Sequence, residues 1–301
     1  MDIIKIIKEN WRYNHAEVVE KYEVGGGRIV CRIHTESADV VLKGIPNTIE
    51  EKVIESNTKA HEYLGNKSGL APSLLNLPDD SLYIHINDYY FYLMTYVDGR
   101  QLQETVGDEF LLGKATRQMH QLHDPCEKSS FYSRNKIKEY RSWFKEYDFK
   151  EQYNSIVDGL PDFAMYDQCF IHTDIGPHNA RYNKDGKVVF VDLDDAGHGP
   201  KYLDLGWPFI MQFVDYNKST GEMKYQFDLA VAFLSGYFDD GNIDKETYNK
   251  IWEGATFMHV SYMKTFGPEA VEPLWNILNF GINQKNKLYE MYHSNNNHSC
   301  Q

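Results

Sequence analysis

One stretch of the chain, residues 169–206, constrains fold and function more than any other. It begins with an apolar run, Cys169-Phe170-Ile171, which is typical of a short buried strand. A turn signal at residues 183–186 then separates two more short runs, and this pattern predicts a β-hairpin. The second strand of the hairpin, residues 188–191, leads into an acidic loop.

Three oxygen-bearing side chains flank this hairpin. Asp174 and Asn179 precede it, and Asp192 follows it. Because a hairpin places its two ends side by side, we expect these side chains to meet at one end of a small sheet. Such a group suits Mg²⁺ with phosphate oxygens completing its shell. Asp174, which lies in a loop, is free to accept a proton from a hydroxyl group. An acidic calcium-type loop or a solvated turn is the alternative interpretation.

The motif H-x-D-x-x-x-x-N at residues 172–179 is followed by V-D-L-D-D-A-G at 191–197 and L-D-L-G at 203–206. This order resembles the aminoglycoside phosphotransferase and choline kinase families, and more distantly the protein kinases. The resemblance implies an α+β, two-lobed, protein-kinase-like fold. Its N-lobe is small and β-rich, and its C-lobe is larger and mostly helical.

The same resemblance implies an ATP- and Mg²⁺-dependent phosphotransferase, with GTP as an alternative nucleotide. Asp174 then orients and deprotonates the acceptor hydroxyl, while Asn179 and Asp192 hold the metal. Three other residues of the stretch are expected to support the loop or the metal: His172, Asp194 and Asp204.

Lys43 ends a V-V-L-K run and resembles the strand lysine that binds the α- and β-phosphates in kinases. The family pattern calls for a carboxylate on the next helix to hold this lysine. Glu55 is the first candidate and Glu51 the second, although either one also suits an exposed helix surface.

Gly26 and Gly27 lie in a glycine run between two predicted strands, where the backbone can approach phosphates closely. The run does not match the G-x-G-x-x-G pattern of kinases, and an ordinary hairpin turn is the alternative. By analogy with the family, the adenine ring would bond the main chain near Thr95 and Val97.

The lobe boundary is predicted at the end of this strand. Residues 1–97 form a nucleotide-binding N-lobe, residues 98–293 a catalytic and acceptor-binding C-lobe, and residues 294–301 a disordered tail. Within the C-lobe, long helices are predicted over residues 108–123 and 135–158, among others.

Composition limits the partners. The net charge is −13 without any Lys/Arg-rich run, which argues against nucleic acid and is compatible with a cationic substrate or with simple solubility. No apolar stretch approaches the length of a membrane span, and the four scattered cysteines fit reduced thiols in the cytoplasm.

The sequence therefore predicts a cytoplasmic enzyme that moves the γ-phosphate to a hydroxyl of a small molecule, with an amine-bearing acceptor such as an aminoglycoside as one class. Choline, homoserine or a similar metabolite are alternative acceptors. A protein Ser/Thr kinase and a catalytically silent nucleotide-binding module are alternative functions.

Overall fold

The structure is a computed structural model that describes residues 1–122, 128–129, 131–132, 137–239, 241–263 and 265–298. The chain groups into two compact units. The first unit contains Met1–Arg100 together with Arg181–Asp194, and the second contains Gln101–Ala180 and Asp195–Gln301. The chain therefore leaves the first unit, returns to it for a short segment, and leaves it again.

The first unit is built on an antiparallel, 6-stranded sheet in the order β1-β2-β3-β6-β4, with β5 paired to β6. Its strands are β1 Ala16–Tyr22, β2 Ile29–Thr35, β3 Asp39–Pro46, β4 Leu74–Leu75, β5 Ile84–Ile86 and β6 Tyr89–Thr95. A smaller sheet has the order β10-β9-β7, with β7 Gly99–Gln101, β9 Ala180–Asn183 and β10 Val188–Phe190.

Alternation along the strands gives the larger sheet two apolar faces, and a helix packs on each. Helix α1, Ile3–Trp11, buries Ile7 and Trp11 in one core with Leu42 of β3. Helix α2, Glu51–His61, contributes Ile54 to the opposite core. A short π-helical segment continues α2.

The second unit is mostly helical. Its helices are α3 Val106–His120, α4 Lys150–Gly159, α5 Lys201–Met211, α6 Phe227–Phe238, α7 Lys245–Met263 and α8 Pro268–His298. Two short strand pairs complete it: β8 Gln168–Ile171 with β11 Gly197–Pro200, and β12 Val214–Tyr216 with β13 Met223–Tyr225. The predicted β-rich first part and helical second part are confirmed.

Two helix pairs in this unit approach each other through glycine. A Cβ added at Gly113 of α3 would lie 2.1 Å from the carbonyl oxygen of Phe233 on α6, and one at Gly236 would lie 2.0 Å from that of Phe110. The pair α5 and α7 repeats the arrangement with other glycines. These contacts leave no room for a side chain, so glycine is required by space.

One predicted helix is wrong over most of its length. The sequence predicts a single helix over residues 135–158, but a 3-10 segment covers Ile137–Ser142, and only Lys150–Gly159 is α-helical. Several aromatic rings between them, including Phe144 and Phe149, are buried in a ring cluster. Burying rings on several sides favours turns over one amphipathic helix.

The chain ends differ from the expected pattern in part. Helix α8 continues to His298, within the segment 294–301 predicted to be disordered, and residues 299–301 lie outside the described part.

Cys31 and Cys169 are free, buried thiols, while Cys126 and Cys300 fall outside the described residues. None of the helices in the described ranges has the length and apolar character needed to cross a membrane.

Candidate active site

The loop after β8 is held by a single buried carboxylate. Asp204 of α5 accepts hydrogen bonds from the main-chain N–H groups of His172, at 2.7 Å, and Thr173, at 2.6 Å. Thr173 has φ of 75°, an unusual backbone conformation for a β-branched residue. The two hydrogen bonds hold the loop in this strained form, and strain of this kind is typical of functional sites. Asp204 therefore contacts the loop that it was predicted to support, and its part in the reaction stays a prediction.

Asp204 is contacted by His120, which in turn contacts Tyr237, and neither residue was predicted from the sequence to belong to the site. His120 of α3 places Nε2 3.1 Å from Oδ2 of Asp204 and Nδ1 3.0 Å from the hydroxyl of Tyr237. Burial raises the pKa of the Tyr237 phenol, which therefore stays protonated. Because a carboxylate oxygen accepts hydrogen bonds, Nε2 of His120 is the donor to Oδ2 of Asp204. No local sequence motif predicts this series of contacts, because the three residues are far apart in the sequence.

Asp174 is fixed by the residue five positions later. The side-chain amide of Asn179 donates to Oδ2 of Asp174, at 2.9 Å, and to its main-chain carbonyl, at 3.0 Å. A 3-10 turn over Pro177–Asn179 brings the amide back to the carboxylate. The side chain of Asp174 is 37% exposed, so a hydroxyl group can reach it.

The first unit carries a separate charged cluster around Lys43. This lysine lies on β3 opposite Tyr92, is only 6% exposed, and donates to Oδ1 of Asp192 at 2.8 Å and of Asp194 at 2.5 Å. Burial opposes the charge and lowers the pKa of Lys43, but Tyr92 and the two carboxylates outweigh burial and raise it well above its ordinary value. The ammonium therefore stays charged.

The predicted pair of Lys43 with Glu55 is not formed. Glu55 lies on the exposed face of α2, as does the second candidate, Glu51, which accepts a hydrogen bond from Tyr83. The helical period instead turns Asn57 inward, where it is 2% exposed. Carboxylates from the acidic loop, not from α2, neutralise the lysine in this structure.

Asn57 binds the acidic loop directly. With its amide oriented to satisfy its neighbours, it donates to the main-chain carbonyl of Asp194 at 2.5 Å and to that of Val53 at 3.0 Å. The guanidinium of Arg28 approaches Oδ2 of Asp194 to 3.3 Å. Asp192 has φ of 62° in the same loop. The loop is therefore held by a helix, a strand and an arginine of its own unit.

The glycine run forms a tight turn after β1. Gly26 and Gly27 have φ of +67° and +68°, a conformation that strains other residues. The hydroxyl of Tyr89 donates to the carbonyl of Gly27 at 3.2 Å. The turn geometry explains the glycines, and their contact with a nucleotide stays a prediction.

At the end of β6, Thr95 and Val97 differ in what they can offer a ligand. The N–H of Thr95 donates to the carbonyl of Ser73 at 2.9 Å, and its hydroxyl accepts from the N–H of Ser73 at 3.0 Å. Among the described residues, the N–H of Val97 finds no acceptor. Of the two predicted adenine contacts, Val97 is therefore the one with an available donor.

The residues predicted to hold a metal offer oxygen atoms, as Mg²⁺ requires. The amide nitrogen of Asn179 is used by Asp174, and the Oδ1 atom of Asn179 receives no hydrogen bond from the described residues. No group of three or more His, Cys, Asp or Glu in the described part could hold a metal ion. These residues fit a cation that takes several ligands from phosphate and water, as Mg²⁺ does. The grouping of Asp174, Asn179 and Asp192 involves both units and stays a prediction.

A buried strand lysine paired with acidic-loop carboxylates, and an Asp–Asn loop fixed by a helix carboxylate, are the features of a kinase-like phosphotransferase. The sequence model of the phosphotransferase enzyme family (APH) matches residues 23–242, and the chain belongs to that family. The predicted family, fold class and phosphotransferase activity are confirmed. A search of curated proteins gave no match.

Several solved structures share the fold at low sequence identity. An amicoumacin kinase in complex with AMP-PNP, Ca²⁺ and Ami is similar with a TM-score of 0.66 at 15% identity, covering 95% of this chain and 94% of that one. A microcompartment-associated aminopropanol kinase has a TM-score of 0.65 at 11% identity, covering 98% of each chain. An ethanolamine kinase of Plasmodium vivax has a TM-score of 0.54 at 13% identity, covering 94% of this chain and 84% of that one.

Proposed function

We propose that this protein is an ATP- and Mg²⁺-dependent kinase of a small, amine-bearing alcohol, with GTP as the alternative nucleotide. The observation that carries the proposal is the Asp174 carboxylate, which is accessible and is fixed through one oxygen by Asn179. A carboxylate held in this way orients a hydroxyl group and accepts its proton as the oxygen attacks phosphorus.

The roles of the other residues follow from their chemistry. Lys43, kept charged by its carboxylates, is suited to bind the α- and β-phosphates. Val97 would donate its N–H to the base, and the turn at Gly26 and Gly27 would cover the phosphates. Asn179 and Asp192 would hold Mg²⁺, which when bound neutralises charge on the terminal phosphates.

The amine-bearing acceptor is supported by two observations. The net charge of −13 favours a cationic partner. Two of the similar structures are named for amino alcohols, aminopropanol and ethanolamine. An aminoglycoside or a related antibiotic is the second acceptor class, because the amicoumacin kinase shares the fold.

An acceptor screen tests the proposal. ADP release is measured with Mg²⁺ and ATP, or GTP, against ethanolamine, aminopropanol, choline, homoserine, aminoglycosides and a generic protein substrate. We expect release that depends on an amino alcohol or aminoglycoside, and mass spectrometry should find the phosphorylated product. Asp174→Asn should lower turnover by about 100-fold or more while nucleotide binding persists.

Three results would contradict the proposal. Nucleotide binding without turnover on any acceptor would favour the silent module, and phosphorylation of the protein substrate alone would favour a protein kinase. Full activity of Asp174→Asn would remove Asp174 from its assigned role.

A further inference from the structure

The residue before Asn179 also faces the catalytic carboxylate. Nε2 of His178 lies 3.4 Å from Oδ1 of Asp174, whereas Asn179 binds the other oxygen, Oδ2. Two consecutive residues of one 3-10 turn therefore lie beside the two oxygens of one carboxylate. The two differ in burial: Asn179 is 7% exposed, while the His178 side chain is 56% exposed.

The loop makes room for this imidazole. A Cβ added at Gly176 would lie 2.5 Å from Cε1 and 2.6 Å from Nδ1 of His178. Gly176 has φ of −174°, an extended conformation that any residue adopts, so its backbone does not require glycine. The ring of His178 occupies the space that a Cβ at position 176 would take, so a larger residue there would displace the ring. Glycine therefore leaves room for the imidazole beside the carboxylate.

We propose that His178 is a positioning residue of the phosphoryl transfer: its imidazole holds Oδ1 of Asp174 toward the acceptor while Asn179 holds Oδ2. The inference rests on the proposed function of Asp174. A single hydrogen bond to Oδ2 restrains the carboxylate only loosely, so the group can still turn by a limited angle about its Cβ–Cγ bond, and this turn moves Oδ1 away from the hydroxyl. The second contact stops the rotation and keeps the proton acceptor aligned.

Matched substitutions separate positioning from a structural role. His178→Phe keeps a planar ring but removes the nitrogen, and we expect kcat to fall by about 10- to 100-fold. The KM for the nucleotide and the melting temperature should stay at the wild-type values. His178→Gln supplies a side-chain N–H of similar reach and should restore kcat to within a few-fold of wild type.

The glycine gives an independent test. Gly176→Ala should push the ring aside and lower kcat like His178→Phe. In the background of His178→Ala, which removes the ring, the same Gly176→Ala change should have no further effect. Equal losses from Gly176→Ala in both backgrounds would mean that position 176 acts without His178, and would overturn the inference.

The outcomes distinguish this inference from the proposed function. If Asp174→Asn is inactive while His178→Phe retains wild-type kcat, the positioning role is wrong and the proposed function stands. If Asp174→Asn is fully active, Asp174 loses its assigned role, and the positioning role of His178, which depends on Asp174, fails as well. A crystal structure of the wild-type protein with Nε2 of His178 remote from both oxygens of Asp174 would overturn the inference without any assay.

Discussion

The side chain of Asn57 donates a hydrogen bond to the main-chain carbonyl of Asp194, and this bond joins helix α2 to the acidic loop. Asp194 in turn binds Lys43 through its carboxylate. The lysine is thus tied to the helix indirectly, through the loop. In this structure the link uses an amide and a backbone carbonyl in place of a helix carboxylate.

Asn57→Leu should destabilise the protein and raise its KM for ATP. The change keeps the volume of the buried side chain but leaves the carbonyl of Asp194 without its donor, which costs about 1–3 kcal/mol of stability. We expect a lower melting temperature and a higher KM for ATP, measured by thermal denaturation and steady-state kinetics.

Glu55→Gln, on the exposed face of the same helix, is the matched control. It should change stability by no more than about 0.5 kcal/mol and leave the KM for ATP unchanged. A larger kinetic loss in Glu55→Gln than in Asn57→Leu would return the helix carboxylate to the role that the structure gives to the acidic loop.

Lys43→Met should reduce phosphoryl transfer by about 100-fold or more, because the proposed function makes this lysine the charged donor to the phosphates. The affinity for ATP, measured by calorimetry, should also fall. Asp174→Asn offers the contrast, since it should lose turnover and keep nucleotide affinity. Undiminished ATP affinity in Lys43→Met would separate this lysine from the nucleotide.

Asp174, Asn179 and Glu55 show which features of the site could be predicted from the sequence and which could not. The H-x-D-x-x-x-x-N spacing places Asp174 and Asn179 in contact, because a short turn determines that geometry locally. The predicted pair of Lys43 with Glu55, which is absent from this structure, rested on the family pattern. Which face of α2 is buried depends on its packing against the sheet, and the family pattern favoured a carboxylate over the amide that faces inward.

The contact of His120 with Asp204 could not be predicted in the same way. The two residues are 84 positions apart, and only the packing of the second unit brings them together. His120 was not among the residues predicted from the sequence to form the site. Contacts that depend on local spacing could therefore be predicted from the sequence, whereas contacts that depend on tertiary packing could not.

Glu109 should make the stability of the protein depend on pH. This carboxyl group is fully buried on α3, and Gln212 donates to one of its oxygens at 2.5 Å. Burial is the main cause that raises its pKa to about 8 from 4.5, and the negative charges of Glu104 and Asp108 add to it. At neutral pH the folded protein therefore keeps a proton that the unfolded chain releases.

The raised pKa of Glu109 determines the direction in which stability changes with pH. The contribution of Glu109 to stability is fully present below the unfolded value of 4.5 and is lost as pH rises toward about 8. Each pH unit in this window costs about 1.4 kcal/mol, as an upper limit. Glu109→Gln should therefore raise the melting temperature more at pH 8 than at pH 5. The exposed Glu104→Gln is the control, and equal effects of both variants at the two pH values would contradict the assignment.

Gly113→Ala should destabilise the second unit. The added Cβ would meet the carbonyl oxygen of Phe233 at 2.1 Å, so helices α3 and α6 must separate. Overpacking of this kind costs about 1–3 kcal/mol, measurable by chemical denaturation. Gly107→Ala in the same helix has no atom within 4 Å of the added carbon and should be neutral or slightly stabilising. Equal effects at both positions would mean that helix propensity, not spacing, dominates.

The return of residues 181–194 to the first unit sets an order of events during synthesis. Lys43 precedes its partner Asp192 by 149 positions. At about 5–20 residues per second, a ribosome leaves the lysine without its counter-charges for roughly 7–30 s. The strand that carries Lys43 can bury its ammonium only after the acidic loop has emerged, so a nascent chain that stalls before this point holds an unfinished first unit.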